Sequence, residues 1–345
     1  MAKRSRRSAR RLDDLPGLFD TIEINFNQDD IYTELIANQR AKAAKESEQA
    51  KSGIEIDPST LKRHRILQYL SMGSGSSGNC TYVGIQGEGG VLIDAGIDVD
   101  RTMRTLKENA IDPKKISGIL ITHDHGDHVR YAYSMVRRNP HMHVYCTPRT
   151  LTGMLKRHSI SSRIKDYHKA VFKEFEFRAG PFIATAFEVS HDGTDNVGYC
   201  LDMGGDRRFV VATDTGCITE RADHYIRLAN YLMIESNYDS GMLASGSYPE
   251  YLKARIASDH GHMDNEATAG YLAEIWTSAL SDIYLCHLSQ DNNTPETALM
   301  TVCETLRSRG ITVGDASGSV DAQRCQVQVS VLPRFEASPL HMLRL

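Results

Sequence analysis

The sequence predicts a mixed α/β (α+β) fold between about residue 66 and residue 335, on three observations. Short apolar runs of strand length recur along this stretch, and segments with helical periodicity are interleaved with them. Several of the apolar runs end directly in histidine- and aspartate-containing loops, the pattern of binding groups held on a rigid sheet.

Taken in order, the runs ILQYLS, CTYVGI, GVLIDAG, SGILIT, HVYCT, FIATAFEV, VGYCLDM, RFVVAT and YLMIE are too short for helices and read as buried strands. Helical stretches are expected at 100–109, 128–138, 219–229, 248–257, 264–280 and 294–308. Strands dominate the first half, and strand–helix alternation returns after residue 210. No short internal repeat is present. Residues 1–65 differ from the rest. A basic run containing Arg4, Arg6, Arg7, Arg10 and Arg11 turns acidic and then gives way to a polar helical stretch at about 34–51. This region is expected to be a partly disordered N-terminal extension, with 66–335 as the catalytic domain and 336–345 as a C-terminal tail.

The bulk properties exclude several classes. The 345 residues suffice for one large domain or two average ones, and 41% hydrophobic with 24% charged residues is ordinary for a soluble globular protein. No apolar run approaches the roughly 18–20 residues of a membrane span, so no membrane role is expected. MAKRSRRSARR lacks the apolar stretch of a secretory signal. The seven cysteines are scattered and never spaced C-x-x-C, which predicts reduced thiols in a cytoplasmic protein. A net charge of -4 supplies no global basic field, so any nucleic-acid contact has to come from local patches.

The strongest motif is Thr122-His123-Asp124-His125-Gly126-Asp127-His128, directly behind the apolar Ile119-Leu120-Ile121. Residues two apart on extended backbone point to the same side, so His123 and His125 can share one metal. Gly126 permits a sharp turn, after which Asp127 and His128 can face a second metal. Imidazole and carboxylate donors without thiolates suit zinc, iron or manganese in a catalytic rather than a purely structural site.

This H-x-H-x-D-H run resembles the hallmark of the metallo-β-lactamase superfamily. The remaining superfamily motifs follow in order: Val189-Ser190-His191-Asp192-Gly193, Ala212-Thr213-Asp214-Thr215-Gly216 and Leu285-Cys286-His287-Leu288-Ser289, with Leu92-Ile93-Asp94-Ala95-Gly96 upstream. The resemblance implies a four-layer αβ/βα sandwich holding two divalent ions, Zn²⁺ or Mn²⁺. One would take His123, His125 and His191, and the other Asp127, His128 and His287. Asp214 would be shared, and Asp94 would support the ligands without binding metal.

Finer phrases are similar to the YycJ/WalJ group of bacterial proteins, which resemble 5′-to-3′ DNA exonucleases. They include the Gly/Ser loop from Ser71 to Cys80, Glu235-Ser236-Asn237-Tyr238-Asp239, Gly261-His262-Met263-Asp264-Asn265 and the run from His287 to Pro295. By resemblance to tRNA 3′-processing nucleases, Glu235 would pair with a His262 that opens a helix and protonates the leaving oxygen, with His260 as the rival donor. Asp127, His262 and Glu235 are then the catalytic candidates, and a metal-bridging hydroxide the implied nucleophile. Ser77, Asn79, Asn292 and Asn293 are position-based candidates for phosphate or sugar contacts. DNA, through its phosphate backbone, is the expected substrate. The alternatives are a small-molecule phosphodiesterase acting on cyclic or dinucleotides, or a thioester or lactone hydrolase. A non-enzymatic binding module conflicts with the intact ligand set. With 72 residues between Asp214 and His287, the large inserted domain of the RNA-processing branch has no room. Oligomeric state has no signature in the sequence.

Overall fold

A computed structural model describes residues 65–315 and 325–345, together with Ala37, Arg40, Ala41, Lys42, Ala44 and Lys45. The chain divides into two units, Met1–Lys42 and Ala43–Leu345. Those six residues are helical, inside the stretch where a helix is expected. The basic run at the start of the chain lies outside the described residues.

The strands, in chain order, are β1 (Ile66–Gly73), β2 (Cys80–Ile85), β3 (Gly89–Ile93), β4 (Ile116–Leu120), β5 (His143–Cys146), β6 (His168–Ala170), β7 (Glu176–Ala179) and β8 (Phe182–Glu188). They continue as β9 (Val197–Asp202), β10 (Arg208–Ala212), β11 (Tyr231–Glu235), β12 (Asp282–Cys286), β13 (Val313–Asp315), β14 (Val327–Val331) and β15 (His341–Arg344). The helices are α1 (Val99–Glu108), α2 (Gly126–Val129), α3 (Ala132–Arg138), α4 (Pro148–Arg157), α5 (Glu220–Ile226), α6 (Ser240–Ser245), α7 (Glu250–Ile256), α8 (Asn265–Ile275) and α9 (Pro295–Ser308). No helix among the described residues is long and apolar enough to cross a membrane.

Two sheets form, in the orders β15-β1-β2-β3-β4-β5-β6 and β13-β14-β12-β11-β10-β9-β8-β7. Strand alternation sorts the side chains into three apolar layers. On β10, Phe209 and Val211 face the other sheet while Val210 and Ala212 face helices; on β11, Tyr231 and Met233 oppose Leu232 and Ile234 in the same way. Both faces being buried, these strands read as continuous apolar runs rather than alternating ones. The outer core of the first sheet takes Met135, Val136, Leu151 and Met154 from α3 and α4. That of the second sheet takes Ala222, Leu272 and Val302 from α5, α8 and α9. The result is the four-layer metallo-β-lactamase sandwich that the motifs imply.

Four local expectations change. The last ten residues are not a free tail, because β15 pairs antiparallel with β1, Ile66 opposite Arg344, and completes the first sheet's edge. The helix expected at 128–138 is broken into α2 and α3 around Tyr131, whose N–H donates to Ala95 O at 2.9 Å instead of continuing a helical ladder. The helix expected to reach 280 stops at Ile275, where Trp276 turns to extended backbone. Helix α4, absent from the expectation, starts on Pro148 with Thr147 as its cap.

Candidate metal centre

The candidate ligands come from the ends of β4, β10 and β12 and from the loop after β8, with the supporting Asp94 at the end of β3. Asp94, Asp214 and His287 each lie just beyond a strand in left-handed backbone, at φ 61°, 51° and 55°. Such conformations cost a non-glycine residue about 1–3 kcal/mol and persist where the surroundings enforce them. Here they turn three strand ends inward toward one point. Gly96 supports the same geometry, since a Cβ there would lie 1.5 Å from Asp127 O. That close approach lets Asn79 N and Ala95 N donate to Asp127 O and His128 O and lock α2 beneath the cluster.

Four of the five imidazoles are oriented by a partner on the far nitrogen, which leaves the near one for the centre. His128 Nδ1 stands 2.8 Å from Asp94 Oδ2, and Asp94 also accepts from Thr122 N and Oγ1 at 2.9 Å. The expected supporting role of Asp94 therefore has its geometry. His191 Nδ1 donates to Gly261 O at 2.9 Å, and His287 Nδ1 lies 2.8 Å from Glu235 Oε1. His123 Nδ1 faces the Thr122 hydroxyl at 3.0 Å. Among the described residues His123 Nε2 and His287 Nε2 are buried without a hydrogen-bond partner, a costly arrangement for polar atoms unless a cation takes them. The ligand atoms of His123, His125 and His191 lie within 4.8 Å of one another, as do those of Asp127, His128 and His287, while His123, His128 and Asp214 form a third group linking the two. The seven expected residues are thus one cluster, and its imidazole and carboxylate donors fit a divalent metal.

Electrostatics divides the cluster. Burial, reinforced by the neighbouring His128, holds His123 well below its usual range, and burial also lowers His125 and His191. These three are neutral and ready to donate lone pairs. Burial alone would lower His128 and His287 too, but Asp214 and the other carboxylates outweigh it, raising His128 well above its usual value and His287 to about 10. Burial would raise Asp127 and Asp214, yet the facing histidines hold both carboxyls well below the ordinary range. Buried carboxylates of this density call for positive charge at the centre.

An open cleft of about 260 Å³ exposes this cluster, lined by Ser76, His125, Asp127, His191, Asp192, Asp214, Arg255, Ile256, Gly261, His262 and His287. Glu235, the last residue of β11, is fully buried, and its Oε1 lies 2.7 Å from His262 Nδ1. Its Oε2 accepts from Thr215 N at 2.8 Å. His262 precedes Asp264, the cap of α8, by two residues, so it stands before the helix rather than opening it. His260, the other expected candidate, is bonded to the Ser190 hydroxyl and does not line the cleft.

The four expected substrate contacts fare poorly. Ser77 is exposed but does not line the cleft, where its neighbour Ser76 does. Asn79 is buried and clamps Gly75, whose N–H it accepts at 2.8 Å, while its amide lies 3.2 Å from Asp127 Oδ2. It positions ligands rather than facing substrate. Asn293 is buried and donates to Ser236 O and Asn237 O at 3.0 Å, and Asn292 is buried outside the cleft. Two charged lining residues were not among the expected site residues. Asp192, beside His191 in the sequence, lies 3.1 Å from His125 Nε2, and Arg255 of α7 holds Asp192 Oδ2 from its Nε at 2.8 Å. Adjacency to a ligand could have flagged Asp192, and Arg255 stands in the run Leu252-Lys253-Ala254-Arg255-Ile256, which is similar to the YycJ/WalJ group.

A four-layer sandwich with imidazoles and carboxylates gathered at its strand ends is the architecture of the metallo-β-lactamase fold with a candidate metal centre. The family described as a β-lactamase superfamily domain matches residues 90–283. Exodeoxyribonuclease YycJ of Bacillus anthracis is 36% identical over 251 residues, covering 72% of this chain and 93% of that protein. Exodeoxyribonuclease WalJ of Streptococcus pneumoniae serotype 2 is 33% identical over 248 residues, covering 72% and 91%. The metallo-β-lactamase fold protein YhfI from Bacillus subtilis superposes with a TM-score of 0.55 at 13% identity, covering 79% of this chain and 99% of that one, a likeness of fold. The chain belongs to the metallo-β-lactamase superfamily, in the group that contains these two relatives.

Proposed function

We propose that this chain is a two-metal-ion DNA exonuclease working in the 5′-to-3′ direction. The observation that carries the reading is the pairing of buried Glu235 with the cleft-lining His262, 2.7 Å apart, beside the ligand cluster. Phosphodiester hydrolysis needs such a pair because its alkoxide leaving group departs poorly without a proton. The two relatives named exodeoxyribonucleases support DNA as the diester.

His123, His125 and His191 would hold one ion, and Asp127, His128 and His287 the other, with Asp214 common to both. Bound there, the ions would supply Lewis acidity and a water of lowered pKa. The chain's own groups do the rest. Glu235 accepts the Nδ1–H of His262 and fixes the ring, aiming Nε2 away from the carboxylate. Nε2 then gives its proton to the leaving oxygen as the phosphorus–oxygen bond breaks. Arg255, tethered through Asp192, offers its remaining N–H groups to a non-bridging phosphate oxygen.

The test is a paired assay with metal-replete protein, 5′- and 3′-labelled double-stranded DNA, and bis(p-nitrophenyl) phosphate. Progressive shortening from the 5′ end is expected. Hydrolysis of the small diester with DNA left intact would move the substrate to a small nucleotide.

A further inference from the structure

The net charge of -4 conceals a local reversal. Residues 130–169, which directly follow the His123–His128 loop, carry nine Lys and Arg against a single acid, Asp166. Structure and sequence agree on where these cations go. Met135, Val136, Leu151, Met154 and Ile164 are pinned in the outer core of the first sheet. The charged faces of α3, α4 and the turn Ser162–Tyr167 must then meet solvent. Arg130, Arg149, Lys156, Arg163 and Lys165 are all exposed, and none has an ion-pair or side-chain hydrogen-bond partner among the described residues.

The segment is docked onto the metal centre itself. Helix α4 packs against the ligand loop at Gly153, where a Cβ would lie 2.0 Å from Asp124 Oδ2. Asp124 sits between His123 and His125. At the end of α4, Arg157 Nε stands 3.5 Å from Asp124 Oδ2 and His158 Nε2 2.6 Å from Asp124 O. The helix dipole favours cations such as Lys156 at this C-terminal end. It does not explain Arg149, which sits in the first turn, where a cation is disfavoured, with no acid beside it. Arg149 and Lys156 are two turns apart on one face, about 10 Å along the axis. A patch of one sign repels itself and disfavours the compact state unless a polyanion neutralises it.

We propose that this surface is the track that holds the phosphate backbone of the DNA strand beyond the scissile bond. The inference rests on the DNA-exonuclease reading and assigns its substrate grip to Arg130, Arg149, Lys156, Arg163 and Lys165. Each phosphate contact steepens the fall of affinity with salt by a fixed increment.

The experiment measures anisotropy of labelled DNA against salt concentration with the full-length, metal-loaded chain. It compares wild type, the triple variant Lys156→Gln/Arg163→Gln/Lys165→Gln, and a control triple, Arg104→Gln/Lys107→Gln/Lys114→Gln, of equal charge change. The track variant should flatten the log–log salt slope by about 2.7, bind at least about tenfold more weakly at low salt, and leave the control near wild type. Turnover of bis(p-nitrophenyl) phosphate should be equal in all three, which also reports an intact fold. The double variant Arg130→Gln/Arg149→Gln, on other elements, should shift the slope in the same direction. Wild-type slope and affinity in both track variants, with wild-type protein still shortening DNA, overturn the track and leave the exonuclease reading standing. A wild type that turns over the small diester yet neither binds nor shortens DNA overturns both.

Discussion

Truncating His262 to alanine separates chemistry from metal binding. Its imidazole contributes one hydrogen bond, Nδ1 to Glu235 Oε1 at 2.7 Å, and touches His191 and His287 with ring centroids 4.9 and 5.2 Å away. After truncation Glu235 keeps His287 Nδ1 and Thr215 N, each at 2.8 Å, so it is not left unpaired. The stability cost should be that of one hydrogen bond to a charged group, about 1.5–3 kcal/mol. The catalytic cost should be that of a general acid, about 10²–10⁴-fold, or roughly 3–5 kcal/mol of barrier at 1.36 kcal/mol per decade. The assay compares kcat on DNA, whose alkoxide must be protonated, with kcat on bis(p-nitrophenyl) phosphate, whose phenolate leaves unaided. DNA turnover should fall by the full factor, nitrophenyl ester turnover by about tenfold or less, and metal content should match wild type. His262 also lies with Asp214, Glu235 and His287 in a group that could itself hold an ion. Loss of metal in His262→Ala, or an equal fall on both substrates, would place His262 among the ligands and refute the acid assignment.

Glu235→Gln keeps the shape but offers one acceptor where two are used, so either Thr215 N–H or an imidazole nitrogen meets an amide donor. We expect a loss of about 1–3 kcal/mol in denaturant melts and metal affinity about 10–100-fold weaker as His287 loses its orienting partner. Unchanged metal affinity would contradict that role. Asp282, half-buried at the start of β12, has its carboxyl raised by burial, only partly offset by the Ser281 hydroxyl at 2.7 Å. Its ionised form therefore opposes folding as pH rises through the raised value, whereas below the ordinary carboxylate range both states are protonated and the penalty vanishes. Asp282→Asn should melt at higher temperature than wild type at neutral pH and converge with it in acid; an equal or lower melting temperature at neutral pH contradicts this.

The candidate cluster was legible because each proposed ligand stands in a short run behind an apolar strand, so local order along the chain reports spatial convergence. Strands such as β10 were visible because burial on both faces leaves an unbroken apolar run. Helix α4 was missed because Thr150, Thr152 and Gly153 dilute its helical signal; Gly153 is there for the close approach to Asp124, a tertiary reason. Strand β15 was missed because its role depends on a partner, β1, more than 250 residues away in the chain. Asn292 and Asn293 misled for a related reason. An amide looks the same in sequence whether it meets substrate or, as Asn293 does, satisfies the carbonyls of Ser236 and Asn237. Arg255 stands in a family-like run, but its place in the cleft depends on α7 lying beside the loop of Asp192, a juxtaposition the run does not spell out.

The central claim is that DNA hydrolysis depends on divalent ions held by the seven-residue cluster with Asp214 at its centre. The most direct measurement follows metal content and shortening of end-labelled DNA together, in wild-type protein under chelator titration and in Asp214→Ala. The account predicts two ions per chain in wild type, activity that falls in step with their removal and returns on Zn²⁺ or Mn²⁺ addition, and neither metal nor activity in Asp214→Ala. Full DNA shortening by metal-free protein or by Asp214→Ala would contradict it.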